Sequence, residues 1–479
     1  MSEVPATSLK KGAEIVLEIE KFADRGKSLG RSNGMVVFVS GAGPCDRVRA
    51  RVIKKKKQFA EAKLLEVEVP SDLRTTPRCP YFGTCGGCRW QHVEYEAQLA
   101  AKRQSVEEAL IHEGGFHGVD VRPTIPSPRV YLYRNKMEFS FSQQRWLTEQ
   151  EIASGEDFDR RFALGLHAPG AFDKVLDLRE CHLQSELSVR IVNTMRDIAQ
   201  AHDWQPWSTR SHTGFLRHLV IRHGEHTGDT MVNLVTNGFD AERMDLLAEV
   251  FQRELPDVTT LVNTIHTGLG QTSIGEREEV IYGPGVLHDR IGDLTFEIAP
   301  NAFFQTNTRG AEQLYAVARD LADLRPTDLL YDLYCGAGTI SLFLAPYVDR
   351  VVGVELVPEA VANARANAAR NGISNATFHS GDMLKLLDRS FVEKHGMPDV
   401  LVVDPPRAGL HPRVAEQLAD LAPERLVYIS CNPRTQARDL AILARSYSIN
   451  AVQPVDMFPQ TYHVENVVRL TRKIDGQQF

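Results

Sequence analysis

The sequence has no long apolar run. Its longest uncharged stretch of that kind, Leu333 to Val348, is 16 residues interrupted by Gly336, Gly338 and Pro346, too short and too broken to span a membrane. The opening MSEVPATSLKK has no apolar centre of the sort a secretion signal needs, so a soluble, cytoplasmic chain with reduced thiols is expected. The seven cysteines are odd in number and unevenly spaced, which argues against a disulfide framework and directs attention to thiol chemistry or metal binding. Positive charge is in deficit: 55 Lys and Arg face 62 Asp and Glu, a formal net charge of −7 that, as an average, speaks against a nucleic-acid partner. At 43% hydrophobic and 24% charged residues the chain is not disordered, and 479 residues correspond to about three domains.

The average charge hides a division. Residues 1–70 contain 14 Lys or Arg, among them Arg25, Lys27, Arg31 and Lys54 to Lys57, against 9 acids, a local net of +5 that leaves −12 for the remainder. Three alternating runs, GAEIVLEIEKF, SNGMVVFVSGAGPCDRVRARVIK and FAEAKLLEVEVP, separated by Gly-rich turns, predict a small OB-like β-barrel. A basic barrel suits the phosphates of RNA. Residues 71–300 mix a Cys-rich turn, a helix (EYEAQLAAKRQSVEEALIHEG), strand-like runs (YRNKMEFSFS, RHLVIRHG) and a helix from Ala241, an α+β domain. From 301 to 479 strand, Gly-rich turn, helix and strand alternate, which predicts a doubly wound, Rossmann-like α/β domain. The expected architecture is therefore multidomain, with divisions near 70 and 300.

In a doubly wound sheet ligands lie beyond the carboxyl ends of the strands. Four predicted strands end at Gly336, Glu355, Asp404 and Cys431. The turn Gly336-Ala337-Gly338 lets the backbone approach a ligand, and Glu355, 17 residues after Gly338, can accept from ribose hydroxyls. Ser341 stands where a dinucleotide fingerprint has its third glycine, so S-adenosylmethionine, which lacks a pyrophosphate, fits better than a nicotinamide or flavin dinucleotide. Asp404-Pro405-Pro406-Arg407 holds a carboxylate at a stiff strand tip. In Ser430-Cys431-Asn432-Pro433 the thiol suits a nucleophile at the mouth of the sheet. Glu465, in Tyr462-His463-Val464-Glu465-Asn466 before the final strand, is a candidate general base.

Together these motifs resemble the RNA 5-methyluridine methyltransferases, in particular those with a TRAM domain and an iron-sulfur cluster. DRGKSLGR and VVFVSGAGP are similar to the TRAM module, and Phe303-Phe304-Gln305-Thr306-Asn307, DLYCGAGTIS, GVE, DPPR, SCNP and HVENV follow the catalytic domain in order. The resemblance implies that Cys431 is the nucleophile and Glu465 the base that removes the C5 proton. It further implies that Gln305, Tyr334, Glu355 and Asp404 line the cofactor and target-base site, with Asp382 near the adenine. Thiolate addition at C6 turns C5 of uracil into a nucleophile, and the uridine must leave its stack first.

Cys79, Cys85 and Cys88, with Gly86 and Gly87 between, place three thiols within ten residues, and Cys181 is a fourth candidate. Such a set indicates metal, with zinc and an iron-sulfur cluster both suited to four thiolates. The resemblance favours a 4Fe-4S cluster of structural role. The turn Pro44-Cys45-Asp46 departs from the usual Pro-Gly-acid, Cys45 reads as a bystander, and Cys335 reads as packing. The RNA implied is 23S ribosomal RNA, with transfer RNA as the alternative, acted on by a monomer without membrane contact. A non-catalytic RNA-binding iron-sulfur protein is disfavoured because Asp404, Cys431 and Glu465 are all present.

Overall fold

Alternation of period two buries one side of each N-terminal strand. In the computed structural model, which describes residues 9–387 and 389–473, the strands Glu14–Phe22, Ser28–Ser32, Met35–Ser40, Arg47–Lys55 and Phe59–Val69 close into a barrel around Ile15, Leu17, Val37, Val48 and Ala60. Closure leaves no free edge. The three runs expected from the sequence thus become five strands: the turn at Gly41–Asp46 divides the second run, and Ser28–Ser32 is too short and polar to show an alternation. At that turn Cys45 is exposed with φ 65°, a left-handed conformation that glycine adopts without strain. The fully buried Asp46 beside it accepts from the N–H of Gly43 (2.5 Å), the N–H of Ser71 (3.0 Å) and Nε of Arg74 (2.8 Å). Residues 1–8, most of the stretch read for a secretion signal, lie outside the described residues.

The middle of the chain builds an eight-stranded sheet whose centre is Lys136–Ser142, Leu216–His223, Thr230–Thr236 and Thr260–Ile265. Helices Glu186–Ala201 and Ala241–Glu254 cover one face, burying Phe139, Leu219 and Leu234 under Ile191, Met195, Leu247 and Phe251. The expected helix and strand runs all appear, but a long piece of this region serves the next sheet. The helix Tyr95–His112 puts Val106, Ala109 and Leu110 into the core around Leu333, Val403 and Tyr428, and the hairpin Leu287–Ile291/Leu294–Ile298 adds Leu287 and Phe296 to the core on the opposite face.

The C-terminal sheet has the spatial order Ala376–Ser380, Arg350–Glu355, Leu329–Leu333, Val400–Val403, Arg425–Ser430, Glu465–Arg472, Tyr447–Val455. The first five are parallel, and Glu465–Arg472 runs antiparallel to both neighbours. Chain order reverses between Leu329–Leu333 and Val400–Val403, which opens a crevice at their carboxyl ends. Because the parallel strands are covered on both faces, VVGV and VLVV are apolar without alternation.

At the opposite end of this sheet Arg425, 1% exposed, ties three elements together. Its Nη2 donates to Asp328 Oδ1 at 2.7 Å, and its Nη1 donates to the carbonyls of Ala322 (3.4 Å) and Asp323 beyond the helix Thr308–Ala322. Replacing Arg425 with Leu leaves the buried Asp328 carboxylate unpaired and is expected to lower the unfolding free energy by about 3–5 kcal/mol, read by urea denaturation. Among the described residues, no helix is long and apolar enough to cross a membrane.

Candidate active site

The first strand of the crevice ends in a left-handed turn. Tyr334 takes φ 67° and donates its N–H to Val354 O (2.9 Å), then Gly336 takes φ 53°. A Cβ on Gly336 would meet nothing within 4 Å, so the turn opens onto free space. Glu355, from the next strand, spans the turn: Oε2 accepts from Gly336 N–H (3.2 Å) and Oε1 from Val357 N–H (2.9 Å). Asp382 is exposed, caps the short helix Met383–Leu386 through Leu384 N–H (3.1 Å), and its charge reaches Tyr334. On the other side Gln305 is anchored by its carbonyl to Asn135 Nδ2 (2.8 Å), with its side chain beside the buried Tyr315, whose hydroxyl pairs with Thr339 Oγ1 (2.9 Å). Gly336, Tyr334, Glu355 and Asp382 are thus linked at the carboxyl ends of the strands, and Gln305 approaches through Tyr315 and Thr339.

Sequence reasoning overlooked Asp332 in this crevice. It is fully buried, its Oδ2 accepts from Ser341 Oγ at 2.5 Å, and its Oδ1 has no partner among the described residues. A charged residue inside the otherwise apolar strand Leu329–Leu333 was the available signal. Burial, with the charges of Asp404 and Glu355 nearby, pushes its carboxyl up to about 7, and burial does the same to Asp404. The buried carboxyl groups of Asp332 and Asp404, with Glu355 nearby, fit a positively charged ligand such as a sulfonium.

A carboxyl that ionises near 4 when unfolded but near 7 when folded contributes stability that is complete below pH 4 and lost as pH rises through 7. The melting temperature of wild type relative to Asp332→Asn is therefore expected to fall between pH 5 and pH 8, as measured by calorimetry without ligand. A constant difference across that range would count against it.

Asp404, Arg407, Cys431 and Glu465 come from three strand ends and act on one another. Burial, the Glu465 charge and then Asp404 push the half-buried Cys431 thiol up to about 11, while the guanidinium of Arg407 opposes the shift. Burial pushes Glu465 well above the usual carboxylate range, reinforced by Asp404 and again opposed by Arg407. Arg407, named in the sequence only as part of DPPR, is the cation common to both. Asn432 fixes its backbone: Asn432 Nδ2 donates to Arg407 O (3.0 Å) while its Oδ1 caps the helix Pro433–Leu443 through Arg434 N–H (3.2 Å).

Cys431 opens into a cleft of about 610 Å³. One wall is Tyr462, His463 and Val464, a second is the helix Tyr95–His112, and the third is the barrel loop Phe22–Arg25. The barrel is held there by the stacked rings of Phe22 and Trp90 (4.3 Å), the Lys21–Glu108 pair (2.5 Å) and Gly26. At φ 70°, Gly26 lies so close to Arg89 and Tyr462 that a Cβ would come within 3.0 Å of both. That the barrel lines the same cleft as the thiol was not legible in the sequence.

Cys79, Cys85, Cys88 and Cys181 line a separate cavity of about 260 Å³ beside Tyr81, Met137 and Leu166. The sulfurs accept hydrogen bonds from neighbouring N–H groups, such as Gly87 N–H to Cys85 Sγ at 3.4 Å. Burial pushes the thiols of Cys85 and Cys88 up to about 11 and about 12. Among the described residues no group of three or more His, Cys, Asp or Glu is arranged to hold a metal ion, so this geometry does not itself support the metal site expected from the sequence. What the fold presents is an open four-sulfur cavity. Cys335 is buried in the core with Phe378, as expected of packing.

The reversal in strand order, the glycine turn and the acid at the end of the next strand are the features of a class I S-adenosylmethionine-dependent methyltransferase fold. Residues 286–473 match the family model "tRNA (Uracil-5-)-methyltransferase", and residues 9–65 match the TRAM domain. The chain is 44% identical to an uncharacterized RNA methyltransferase of Chlorobaculum tepidum over 97% of each chain, and 44% identical to one of Porphyromonas gingivalis over 96% of this chain and all of the other. It is also similar to the structure of Pyrococcus abyssi tRNA (uracil-54, C5)-methyltransferase in complex with S-adenosyl-L-homocysteine, with 27% identity and a TM-score of 0.75, covering 95% of this chain and all of that one. The chain belongs to the family of S-adenosylmethionine-dependent RNA uracil methyltransferases, with a TRAM domain at its N-terminal end.

Proposed function

We propose that the protein methylates C5 of a uridine in RNA, with Cys431 as nucleophile and Glu465 as base. The observation that carries this reading is that Cys431, Glu465, Asp404 and Arg407 act on one another beside a cleft that Cys431 and Arg407 line together with the barrel loop Phe22–Arg25. Cys431 Sγ, as thiolate, adds to C6 of the flipped uracil, and the electrons of the C5–C6 double bond move onto C4–O4 as an enolate. Arg407 offsets the charge of the thiolate. S-adenosylmethionine, held by Glu355, Asp382, Tyr334, Gln305 and the Gly336 turn, supplies a methyl group on a sulfonium, which C5 takes. Glu465 then removes the C5 proton, the C5–C6 double bond re-forms and Sγ departs. Burial makes Glu465 a stronger base than an exposed carboxylate, as a carbon-bound proton demands.

Residues 1–70 grip the RNA, 71–300 carry the four-sulfur cavity and 301–479 transfer the methyl group. The donor set of Cys79, Cys85, Cys88 and Cys181 around one cavity suits a 4Fe-4S cluster or zinc, and the resemblance to cluster-bearing members of the family favours the cluster. Its place is structural, since methyl transfer through a thiolate needs no electron. Anaerobically purified protein should hold iron and acid-labile sulfide in equal amounts, both lost in Cys181→Ser, whereas zinc without sulfide would overturn the assignment.

The resemblance to family members that carry both a TRAM module and a cluster, which are usually ribosomal enzymes, supports 23S ribosomal RNA as substrate. The name of the Pyrococcus abyssi relative supports the second reading, transfer RNA. Mapping 5-methyluridine by mass spectrometry in RNA from cells with and without the protein decides between them, and loss from neither RNA would reject the function.

A further inference from the structure

Val455 pairs directly with Glu465, so residues 456–464 are a hairpin connection with the proposed base at its foot and Tyr462, His463 and Val464 against Cys431. Such a connection has many backbone groups to satisfy, and here partners from residues 89–133 take them up. Gln460 O accepts the N–H groups of Arg89 (2.9 Å) and Trp90 (3.1 Å). Gln460 N–H donates to Gln98 Oε1 (3.0 Å), and Gln98 Nε2 shares its protons among Gln460 Oε1 (3.1 Å), Trp90 O (3.1 Å) and Val93 O (2.9 Å). The fully buried Lys102 donates to Asp456 Oδ1 (2.5 Å) and Phe458 O (3.1 Å), and Tyr133 OH donates to Pro459 O (3.0 Å). Gln98 and Gln460 are 1% and 4% exposed, and Gln460 is kept at φ 67°, a conformation that persists only where its surroundings impose it.

The same contacts lead to the four-sulfur cavity. Arg89 and Trp90 directly follow Cys88, and the Gln91 side chain binds the Cys88 sulfur and accepts the N–H of Cys79 (3.1 Å). We infer that Gln98 and Gln460 are positioning residues for Glu465, and that through Arg89 and Trp90 they make the placement of the base depend on the wall of the four-cysteine cavity. This rests on the catalytic reading of Cys431 and Glu465 given above.

The test uses the full-length protein with substrate RNA containing ordinary uridine. Gln98→Met keeps the volume of the side chain and removes its bonds, and Gln460→Gly accepts the left-handed backbone while losing Oε1. Both variants, and Cys88→Ser, are expected to lower kcat by about 10- to 100-fold with KM for RNA little changed. They should also accumulate a protein–RNA adduct stable to denaturing gels, because addition and methyl transfer proceed while proton removal lags. Unchanged turnover, or turnover and 5-fluorouridine trapping falling together without adduct on ordinary RNA, would overturn the inference. Accumulation in the two glutamine variants but not in Cys88→Ser would overturn the link to the cavity. If wild type itself fails to trap 5-fluorouridine RNA, it is the catalytic reading that falls.

Discussion

Cys431→Ala is expected to reduce methyl transfer to RNA by roughly 10⁴-fold or more and to abolish covalent capture of RNA carrying 5-fluorouridine. Fluorine at C5 leaves Glu465 no proton to take, so wild-type protein should be held as an adduct through Sγ, visible as a shifted band under denaturing conditions. Cys431 is half-buried at a cleft wall and fills no core, so its truncation should leave the melting temperature close to that of wild type. Capture by Cys431→Ala, or methylation at the wild-type rate, would remove Cys431 from the mechanism. The thiol is pushed up to about 11, so capture by wild type should quicken as pH rises from 6 to 9, when more of it is thiolate.

Glu465→Gln should behave in the opposite way towards the adduct. The amide matches the carboxyl in size but cannot accept a proton from carbon, so turnover is expected to fall by about 10²- to 10⁴-fold while methylated RNA stays attached to Cys431 on ordinary uridine. The adduct is read on a denaturing gel, and its methyl group by transfer of label from the cofactor. Wild-type turnover by Glu465→Gln would show that another group takes the proton. Asp404 is the nearest rival, since its carboxyl is also raised and acts on both Cys431 and Glu465.

Much of this site is legible in the chain because a doubly wound sheet gathers its strand ends. Gly336, Glu355, Asp404 and Cys431 each close a run of apolar residues followed by a turn, and each lies at the crevice. Contacts between distant segments are another matter. Nothing local to residues 95–112 tells that this helix packs on a sheet formed more than two hundred residues later, nor does the loop Phe22–Arg25 signal that it faces Cys431. Arg407 is visible as a residue, but its role depends on lying between a thiol and a carboxyl that come from separate strands. The net charge of −7 is similarly uninformative as a whole, since the basic excess is concentrated in the barrel.

The barrel loop in the cleft wall joins two properties that a modular protein would keep apart. On the proposed function, the surface that would retain RNA is continuous with the chamber in which the base would react, so a nucleic acid that does not lie along the barrel would leave that chamber open on one side. Free uridine, however well its ring fits beside Cys431, brings no phosphates for the barrel and no neighbours to close the opening. Water then competes for Arg407 and weakens the electrostatics on which the thiolate depends. On that proposal, discrimination against the abundant small uracil compounds of a cell would be in part a matter of enclosure.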